Sequence, residues 1–439
     1  MTNRKTTTSN LSHLKDDIIK NNTIDNEVYL ELDVKRGLRN KDGSGVLAGL
    51  SRISSVIGSQ KIDYQRISVD GELKYRGINI FDLMKDSKSE ERYYFEQIAF
   101  LLLVGRKPTD DEFKAFKEEM ASQRVVPEPI LEGVIKDIPS RNIMNKLQTA
   151  ISALYGFDDN ADDLDPYANF QKAIGVIAKC PIIIAYAYLS AYKSNPTFVT
   201  PPEGYSQAEA FLYCLNEGKK ASELENHLLD LAMVLHAEHG GGNNSTFTTY
   251  VVTSSGTDIY CAMAAAVASL KGPLHGAANK KVMDMMADIK ANINDWGSTD
   301  EVSQYLTKIL NKDAHDRSGK IYGLGHAVYT KSDPRGIILK EKAVSLAKEK
   351  DRLDEYNLYL AIETQGPKLF QEIKGSKKVI SPNVDFFSGF VYDCLNIPVE
   401  LYTPLFAMAR AVGWCSHRIE ESLSGKRIIR PGYKYVGNN

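Results

Sequence analysis

A run of twenty mostly apolar residues, AIGVIAKCPIIIAYAYLSAY at positions 173–192, places the strongest limit on how this chain folds. Such a run is long enough either to span a bilayer or to fill the centre of a large core. Lys179 and Pro181 interrupt its middle, which disfavours a membrane span. The run therefore predicts a buried helix or helix pair, which the rest of the chain must enclose.

Helical periodicity dominates the remaining sequence. Apolar residues recur at helical spacing in eight further segments, at 110–122, 145–157, 222–239, 258–270, 300–311, 334–350, 358–373 and 403–423. Strand-like stretches are few, and the best is KIDYQRISVDGELKYRG at 61–77, where Asp70-Gly71 predicts a hairpin turn. The predicted fold class is therefore mostly α.

Charge and cysteine content narrow the function classes. A formal net charge of -2 gives no reason to expect nucleic acid or an anionic membrane as a partner. The five cysteines are scattered and form no CxxC pair, which argues against a disulfide framework and a zinc site. The polar first twenty residues lack the apolar segment of an export signal. We expect a cytoplasmic protein.

Two turns carry histidines. In LHAEHGGGNNSTF, at 235–247, His236 and His239 lie three apart where glycines end a helix. The spacing is not HExxH and no third ligand follows, so this pattern alone favours a buried histidine over a metal site. In GPLHGAAN, at 272–279, a Gly-Pro pair turns the chain between two helices and leaves His275 on a tight corner.

A third histidine precedes a well-marked helix start in GLGHAVYTKSDPRG, at 323–336. Asp333 suits the N-cap and Pro334 the first helical position, while His326 lies in the glycine-flanked loop before them. Arg335 then falls in the first turn, where a cation is disfavoured by the helix dipole unless it faces an anion. The alternative for Arg335 is a solvated side chain.

Three further charged residues have unusual surroundings. Asp385, in SPNVDFFSGF, lies near the start of an apolar helix, which would raise its pKa as a general base requires. Arg410 interrupts the apolar helix LFAMARAVGW, and a buried arginine needs an anionic partner. Arg430 belongs to a short basic tail, where an isolated arginine would be solvated.

Taken together, these motifs resemble those of citrate synthases. The matching stretches, in chain order, are DGELKYRGINI, IAFLLLVGRKPT, HAEHGGGN, GPLHGAAN, GLGHAVYTKSDPRG, NVDFFSG and FAMARAVGW. The resemblance runs from about residue 45 to Arg430. Two positions depart from it: Ala327 replaces an arginine that many bacterial members have, and Thr330 replaces a basic residue expected to touch CoA phosphate. Lys331, the next residue, is a candidate substitute for that contact.

The resemblance implies a helical fold with a large domain and a smaller mobile domain that closes over the substrate. Residues 277 to 384 are more charged and richer in lysine than their flanks. Together with the resemblance, this composition predicts four segments. These are an N-terminal arm at 1–44, the large domain at 45–276 and 385–439, and the small domain at about 277–384.

The resemblance also implies a reaction without metal or cofactor, in which acetyl-CoA condenses with oxaloacetate and the thioester is then hydrolysed. Asp385 would be the base that removes a methyl proton. His275 would donate a hydrogen bond to the enolate oxygen, and a neutral imidazole suits that task. His326 would polarise the ketone of oxaloacetate.

The family's oxaloacetate contacts match His239, Arg335, Arg410 and Arg430. Guanidinium binds carboxylate in a planar, bidentate manner, which accounts for three arginines around a dicarboxylate. In the family the residue matched by Arg430 reaches into the other subunit. A homodimer or larger homo-oligomer with shared active sites is therefore expected.

Three alternatives remain at this point. A 2-methylcitrate synthase uses propionyl-CoA on the same framework, and one methylene discriminates by only about 1–3 kcal/mol. A lyase of the ATP-citrate lyase type needs ATP-binding and CoA-ligating domains, for which this chain has no room. A non-catalytic helical scaffold would need none of the histidines, arginines or the aspartate named above.

Overall fold

The structure is a computed structural model that describes residues 12–63, 65–86, 94–375 and 379–437. The chain divides into two compact units, Met1–Leu50 and Ser51–Asn439. In the first unit, helices α1 (Lys15–Asn22) and α2 (Asn26–Glu31) contain no buried residue. The predicted domain boundaries within the chain stay predictions.

The second unit is built mainly from helices, and the prediction of a mostly α fold is confirmed. Its helices are α3 (Ile80–Asp86), α4 (Tyr94–Val104), α5 (Asp110–Ser122), α6 (Ile143–Ala153), α7 (Pro166–Tyr192), α8 (Gln207–Leu215), α9 (Glu223–His236), α10 (Asn244–Thr253), α11 (Ile259–Lys271), α12 (Ala278–Asn292), α13 (Thr299–Leu310), α14 (Pro334–Glu349), α15 (Leu353–Lys374), α16 (Val384–Cys394) and α17 (Tyr402–Ser424). Each of the eight periodic segments predicted above corresponds to one of them.

Helix α7 is the long apolar helix predicted from the sequence. Among the described residues it is the one helix long and apolar enough to cross a membrane, and 83% of its most apolar window is buried within the protein. Pro181 cannot donate a hydrogen bond to the Ile177 carbonyl, which instead accepts one from Gln207 Nε2 at 2.9 Å. Lys179 Nζ donates to two main-chain carbonyls. A buried core helix therefore accommodates both interruptions.

The strands form a small antiparallel sheet. Its strands, in order, are β1 (Ser54–Ile62), β2 (Gln65–Tyr75) and β3 (Ile78–Asn79). β1 ends at Ile62, which pairs with Gln65 at the start of β2, so the predicted turn at Asp70-Gly71 is wrong. Gly71 instead lies inside β2.

Close packing against the loop after His326 explains why glycine occurs at positions 58 and 71. A Cβ atom on Gly71 would lie 2.2 Å from the Ser332 carbonyl oxygen, and one on Gly58 would lie 2.3 Å from the Val328 carbonyl oxygen. The strand register also shifts beside Gly58, as at a bulge. Gly71 N donates to Ser332 Oγ at 3.0 Å. The two glycines thus let the sheet support the loop that follows His326.

Two buried carboxyl groups lie close enough to affect one another's titration, Glu96 on α4 and Asp230 on α9. Glu96 accepts a hydrogen bond from Gln207 N at 2.7 Å and Asp230 one from Phe95 N at 3.0 Å. The second oxygen of each carboxyl group has no hydrogen-bond partner among the described residues. Burial raises the pKa of Glu96; burial, and then the charge of Glu96, raise that of Asp230.

This pair makes folding stability depend on pH. A carboxyl group whose pKa is raised on folding contributes stability below its unfolded pKa and loses it as the pH rises through the folded pKa. Asp230→Asn keeps the shape and removes the ionisation. We expect the melting temperature of the variant, relative to wild type, to increase from mildly acidic to alkaline pH. Glu223→Gln, at an exposed position of α9, is the control; an equal pH response in both variants would contradict the prediction.

Candidate active site

Six of the seven predicted site residues line one cavity of about 140 Å³. They are His239, His275, His326, Arg335, Asp385 and Arg410. Arg430 is exposed in the segment after α17 and does not line this cavity. Segments that are far apart in the sequence therefore converge on a single site.

His236 and His239 lie where α9 ends. Both are buried, and His236 Nδ1 and His239 Nε2 have no hydrogen-bond partner among the described residues. Burial, reinforced by the positive charge of Arg335, holds the pKa of both rings well below the usual value, so both are neutral. No group of three metal-ligating side chains occurs in the described part of the chain. Both histidines also line the cavity.

His275 lies on the tight turn between α11 and α12. The main-chain N–H groups of His275 and Gly276 both donate to the Gly272 carbonyl, each at 2.9 Å. A Cβ atom on Gly276 would lie 2.1 Å from the Leu270 carbonyl oxygen, so glycine is required there. Thr403 Oγ1, at the start of α17, donates to the Gly276 carbonyl at 2.7 Å. The turn is thus fixed from two sides.

The ring of His275 is held through its Nε2 atom, which lies 3.1 Å from Ser245 Oγ. The same hydroxyl accepts a hydrogen bond from Trp414 Nε1 at 3.1 Å and lies 2.8 Å from Asn243 Oδ1. Because an indole N–H can only donate, the Ser245 proton is free to go to His275 or Asn243. Burial, followed by the charge of Arg410, lowers the pKa of His275 to about 4 and keeps the ring neutral.

The structure defines the tautomer of His326. Its Nδ1 accepts hydrogen bonds from the main-chain N–H groups of Val328 at 3.0 Å and Tyr329 at 3.2 Å. Burial, and then the charge of Arg335, lower the pKa of the ring to about 4. A neutral ring with an accepting Nδ1 carries its proton on Nε2. His326 is therefore a neutral donor through Nε2.

Arg335 is buried and paired, so the solvated alternative is wrong. Its Nε and Nη2 donate to Asp333 at 3.1 and 2.8 Å. Asp333 also caps α14 and accepts from Val384 N at 3.1 Å, which joins α14 to α16. Burial alone would lower the pKa of Arg335, but Asp333 raises it overall. A cation in the first turn of a helix was expected to face an anion, and that anion is Asp333. The Nη1 atom of Arg335 can bind a further anion.

Asp385 is in the first turn of α16, two residues after the N-cap residue Asn383. The Asn383 side chain accepts a hydrogen bond from Asp385 N at 3.0 Å, which fixes the start of the helix. Phe386 and Phe387 are buried beside it. Burial raises the pKa of Asp385 to about 6, against the attraction of Arg335. A carboxylate of this basicity can accept a proton near neutral pH.

Arg410 is fully buried in α17 and is the clearest anion-binding group in the cavity. Its Nε donates to the His236 carbonyl at 2.7 Å, whereas Nη1 and Nη2 have no hydrogen-bond partner among the described residues. Burial lowers its pKa to about 10, although the charge of Glu238 opposes this. A buried guanidinium with two unpartnered nitrogens is suited to a bidentate carboxylate.

The arrangement combines three chemical capabilities. Arg410 and the remaining Nη1 of Arg335 attract anions, and the neutral ring of His326 can hydrogen-bond a carbonyl oxygen. Asp385 can accept a proton. Sequence reasoning had missed Ser245 and Trp414, because a serine in a Thr-rich helix and a tryptophan in an apolar helix give no local sign of contact with His275.

Known proteins are similar to this chain over most of its length. Residues 42–432 match the family model described as citrate synthase, C-terminal domain. The chain is 35% identical over 410 residues to the citrate synthase of Haloferax volcanii, covering 92% of this chain and 96% of that protein. It is 32% identical over 375 residues to the 2-methylcitrate synthase of Shewanella oneidensis, covering 84% and 90%.

A solved structure is similar in fold. It is the citrate synthase of Thermoplasma acidophilum in ternary complex with carboxymethyl coenzyme A and oxaloacetate, with a TM-score of 0.76 and 27% identity. The alignment covers 92% of this chain and 97% of that chain. The prediction of the family from sequence motifs is confirmed.

Arg410 should dominate dicarboxylate binding. Arg410→Met keeps an apolar side chain of similar length and removes the charge. Because a hydrogen bond to a charged group contributes about 1.5–3 kcal/mol, oxaloacetate affinity should fall roughly 10- to 100-fold. The rise in melting temperature with oxaloacetate measures this. Arg418→Met, at another buried arginine of α17, should destabilise the fold but keep the oxaloacetate response. An undiminished response in Arg410→Met would contradict the assignment.

Proposed function

The chain belongs to the citrate synthase family, and we propose that its cavity condenses acetyl-CoA with oxaloacetate through the side chains described above. One observation supports this proposal above all. Arg410, whose Nη1 and Nη2 atoms have no hydrogen-bond partner among the described residues, lines the same cavity as Asp385, whose pKa is raised. Anion binding and proton removal at adjacent positions are what this condensation requires.

Oxaloacetate would bind first. Arg410 and the Nη1 atom of Arg335 would take its carboxylates, and His239 Nε2 supplies a further polar contact. The Nε2–H of His326 would donate to the ketone oxygen and make the carbonyl carbon more electrophilic. Binding of a dianion also offsets the cost of burying the guanidinium of Arg410.

Asp385 would then remove a proton from the methyl group of acetyl-CoA. The developing enolate oxygen needs a donor, and His275 can supply one through Nδ1–H if Ser245 donates its own proton to Nε2. Trp414 supports this orientation, because its indole N–H occupies one lone pair of the Ser245 oxygen. This orientation also requires the Asn243 amide to turn, so that Nδ2 instead of Oδ1 faces the Ser245 oxygen.

Attack of the enolate carbon on the ketone carbon forms the new C–C bond. The ketone oxygen becomes an alkoxide, which the His326 N–H stabilises. Uptake of one proton, which balances the proton taken by Asp385, gives the hydroxyl of citryl-CoA. Water then attacks the thioester carbonyl, the C–S bond breaks, and citrate and CoA are released. The chain's own groups supply the acid–base chemistry, and the metal-free, cofactor-free reaction stays a prediction.

The other candidate functions receive less support. The 2-methylcitrate synthase alternative is not favoured, since relatives named citrate synthase match at 35–36% identity. A scaffold role leaves the unpartnered nitrogens of the cavity unexplained. For the CoA phosphate, Thr330 is already engaged, because its hydroxyl donates to the Gly58 carbonyl at 3.4 Å. The exposed Lys331 therefore stays our proposed contact.

We also propose an oligomeric state, a domain closure and a cytoplasmic location for this protein. We propose a homodimer or larger oligomer in which Arg430 enters the partner's cavity, because in its own chain it is exposed and outside the cavity. Closure of a small domain over oxaloacetate would exclude water until citryl-CoA has formed. The five free cysteines suit a reducing cytoplasm.

The base assignment predicts the effect of Asp385→Asn. CoA release from acetyl-CoA in the presence of oxaloacetate should fall roughly 10²- to 10⁴-fold, the range for a positioned acid–base group. In wild type, kcat/KM should decline as the pH falls below about 6, because the carboxylate becomes protonated. Asp393→Asn, on the same helix but outside the cavity, should retain activity. Near-normal turnover of Asp385→Asn would exclude it as the base.

The shared site predicts complementation between two inactive variants. Arg430→Ala and Asp385→Asn should each be almost inactive, but a heterodimer of the two would contain one intact site. Co-refolding with random pairing should therefore restore up to about a quarter of wild-type activity. Wild type refolded in the same way is the control. If it recovers while the mixture stays inactive, Arg430 does not act in the partner's site.

A further inference from the structure

Glu238 lies between the two cavity histidines of the α9 end but does not line the cavity itself. It is 0% exposed. Its Oε1 atom accepts hydrogen bonds from Gly240 N at 2.5 Å, Ser54 Oγ at 2.8 Å and His417 Nε2 at 2.8 Å. A buried carboxylate is tolerated only with such compensation. The start of β1, the glycine-rich loop and α17 thus meet at one oxygen atom.

The partner His417 lies on the same face of α17 as Arg410. The two residues are seven apart, or about two turns, and Gly413 lies between them. A Cβ atom on Gly413 would lie 2.2 Å from Glu238 Oε2 and 2.5 Å from the Ala237 carbonyl oxygen. Only glycine therefore lets α17 approach the end of α9 closely enough for this contact.

The hydrogen-bond chain continues beyond His417. Its Nδ1 lies 2.7 Å from the Tyr250 hydroxyl, which lies 3.0 Å from Glu420 Oε2. The Tyr250 hydroxyl donates to Glu420, so His417 links the buried Glu238 carboxylate on one side to Tyr250 on the other.

We propose that Glu238 is a positioning residue for oxaloacetate binding. Its bond to Gly240 N fixes the main chain directly after His239, and its bond to His417 fixes the face of α17 that carries Arg410. Glu238 does not touch the substrate, so its effect passes through these two binding residues. The inference rests on the proposed function, because it concerns how that site is held in shape.

Glu238→Gln tests this role, since it keeps the size of the side chain and removes the charge. The KM for oxaloacetate should rise roughly 10- to 100-fold, because a small misplacement of positioned groups can cost about 100-fold. The KM for acetyl-CoA should stay within about twofold, and kcat should change less than the KM for oxaloacetate. His417→Gln should show the same selective effect.

Glu238→Asp is the conservative rescue. It keeps the charge and can still accept from the main chain two residues ahead, as Asp commonly does in turns. Its KM for oxaloacetate should therefore lie nearer to wild type than that of Glu238→Gln. Glu96→Gln is the matched control, since it changes a buried carboxylate outside the cavity and should leave both KM values unchanged.

The outcomes separate this inference from the proposed function. A lower melting temperature for Glu238→Gln with unchanged KM values, or an equal rise in both KM values, would mean a merely structural role. If Glu238→Gln does not fold, Glu238→Asp and His417→Gln decide the question by the same KM comparison. A wild-type protein without oxaloacetate-dependent CoA release would instead overturn the proposed function.

Discussion

The guanidinium of Arg410 is buried, only one of its three nitrogens is hydrogen-bonded to a described residue, and the site is organised around that charge. Its Nε donates to the carbonyl of His236, the last residue of α9, where the helix dipole is negative. An isolated buried cation is costly, so its two terminal nitrogens favour an anion in the cavity. The same positive charge helps to keep the His275 ring neutral.

Helix α17 brings this charge and its supporting contacts together. One face of the helix carries Arg410, Trp414 and His417. Arg410 and His417 contact the end of α9, at the His236 carbonyl and Glu238, and Trp414 contacts Ser245 at the start of α10. Because all three side chains belong to one rigid helix, the spacing of the segments they hold is fixed by its repeat. The histidines of the α9 and α11 turns therefore share a single support.

Local sequence signals predicted the parts of this site that local physics determines. The Asp333 cap, the Pro334 start of α14 and the tight turn at His275 follow from capping and turn preferences. Helices α4 and α10 were not predicted, since α4 is apolar on all sides and the β-branched residues of α10 are weak helix formers. Packing within the core decides their structure.

The sequence by itself determined the family and the mostly helical class, because these depend on residue order and short-range preferences. It also predicted six residues that line the cavity. Only the tertiary structure decided how each group is used. Gly71 permits close packing instead of a turn, Arg335 is paired with Asp333, and the tautomer of His326 follows from two main-chain donors. Such contacts join atoms from distant segments, and pKa values and hydrogen bonds depend on distances that exist only once those segments have packed together.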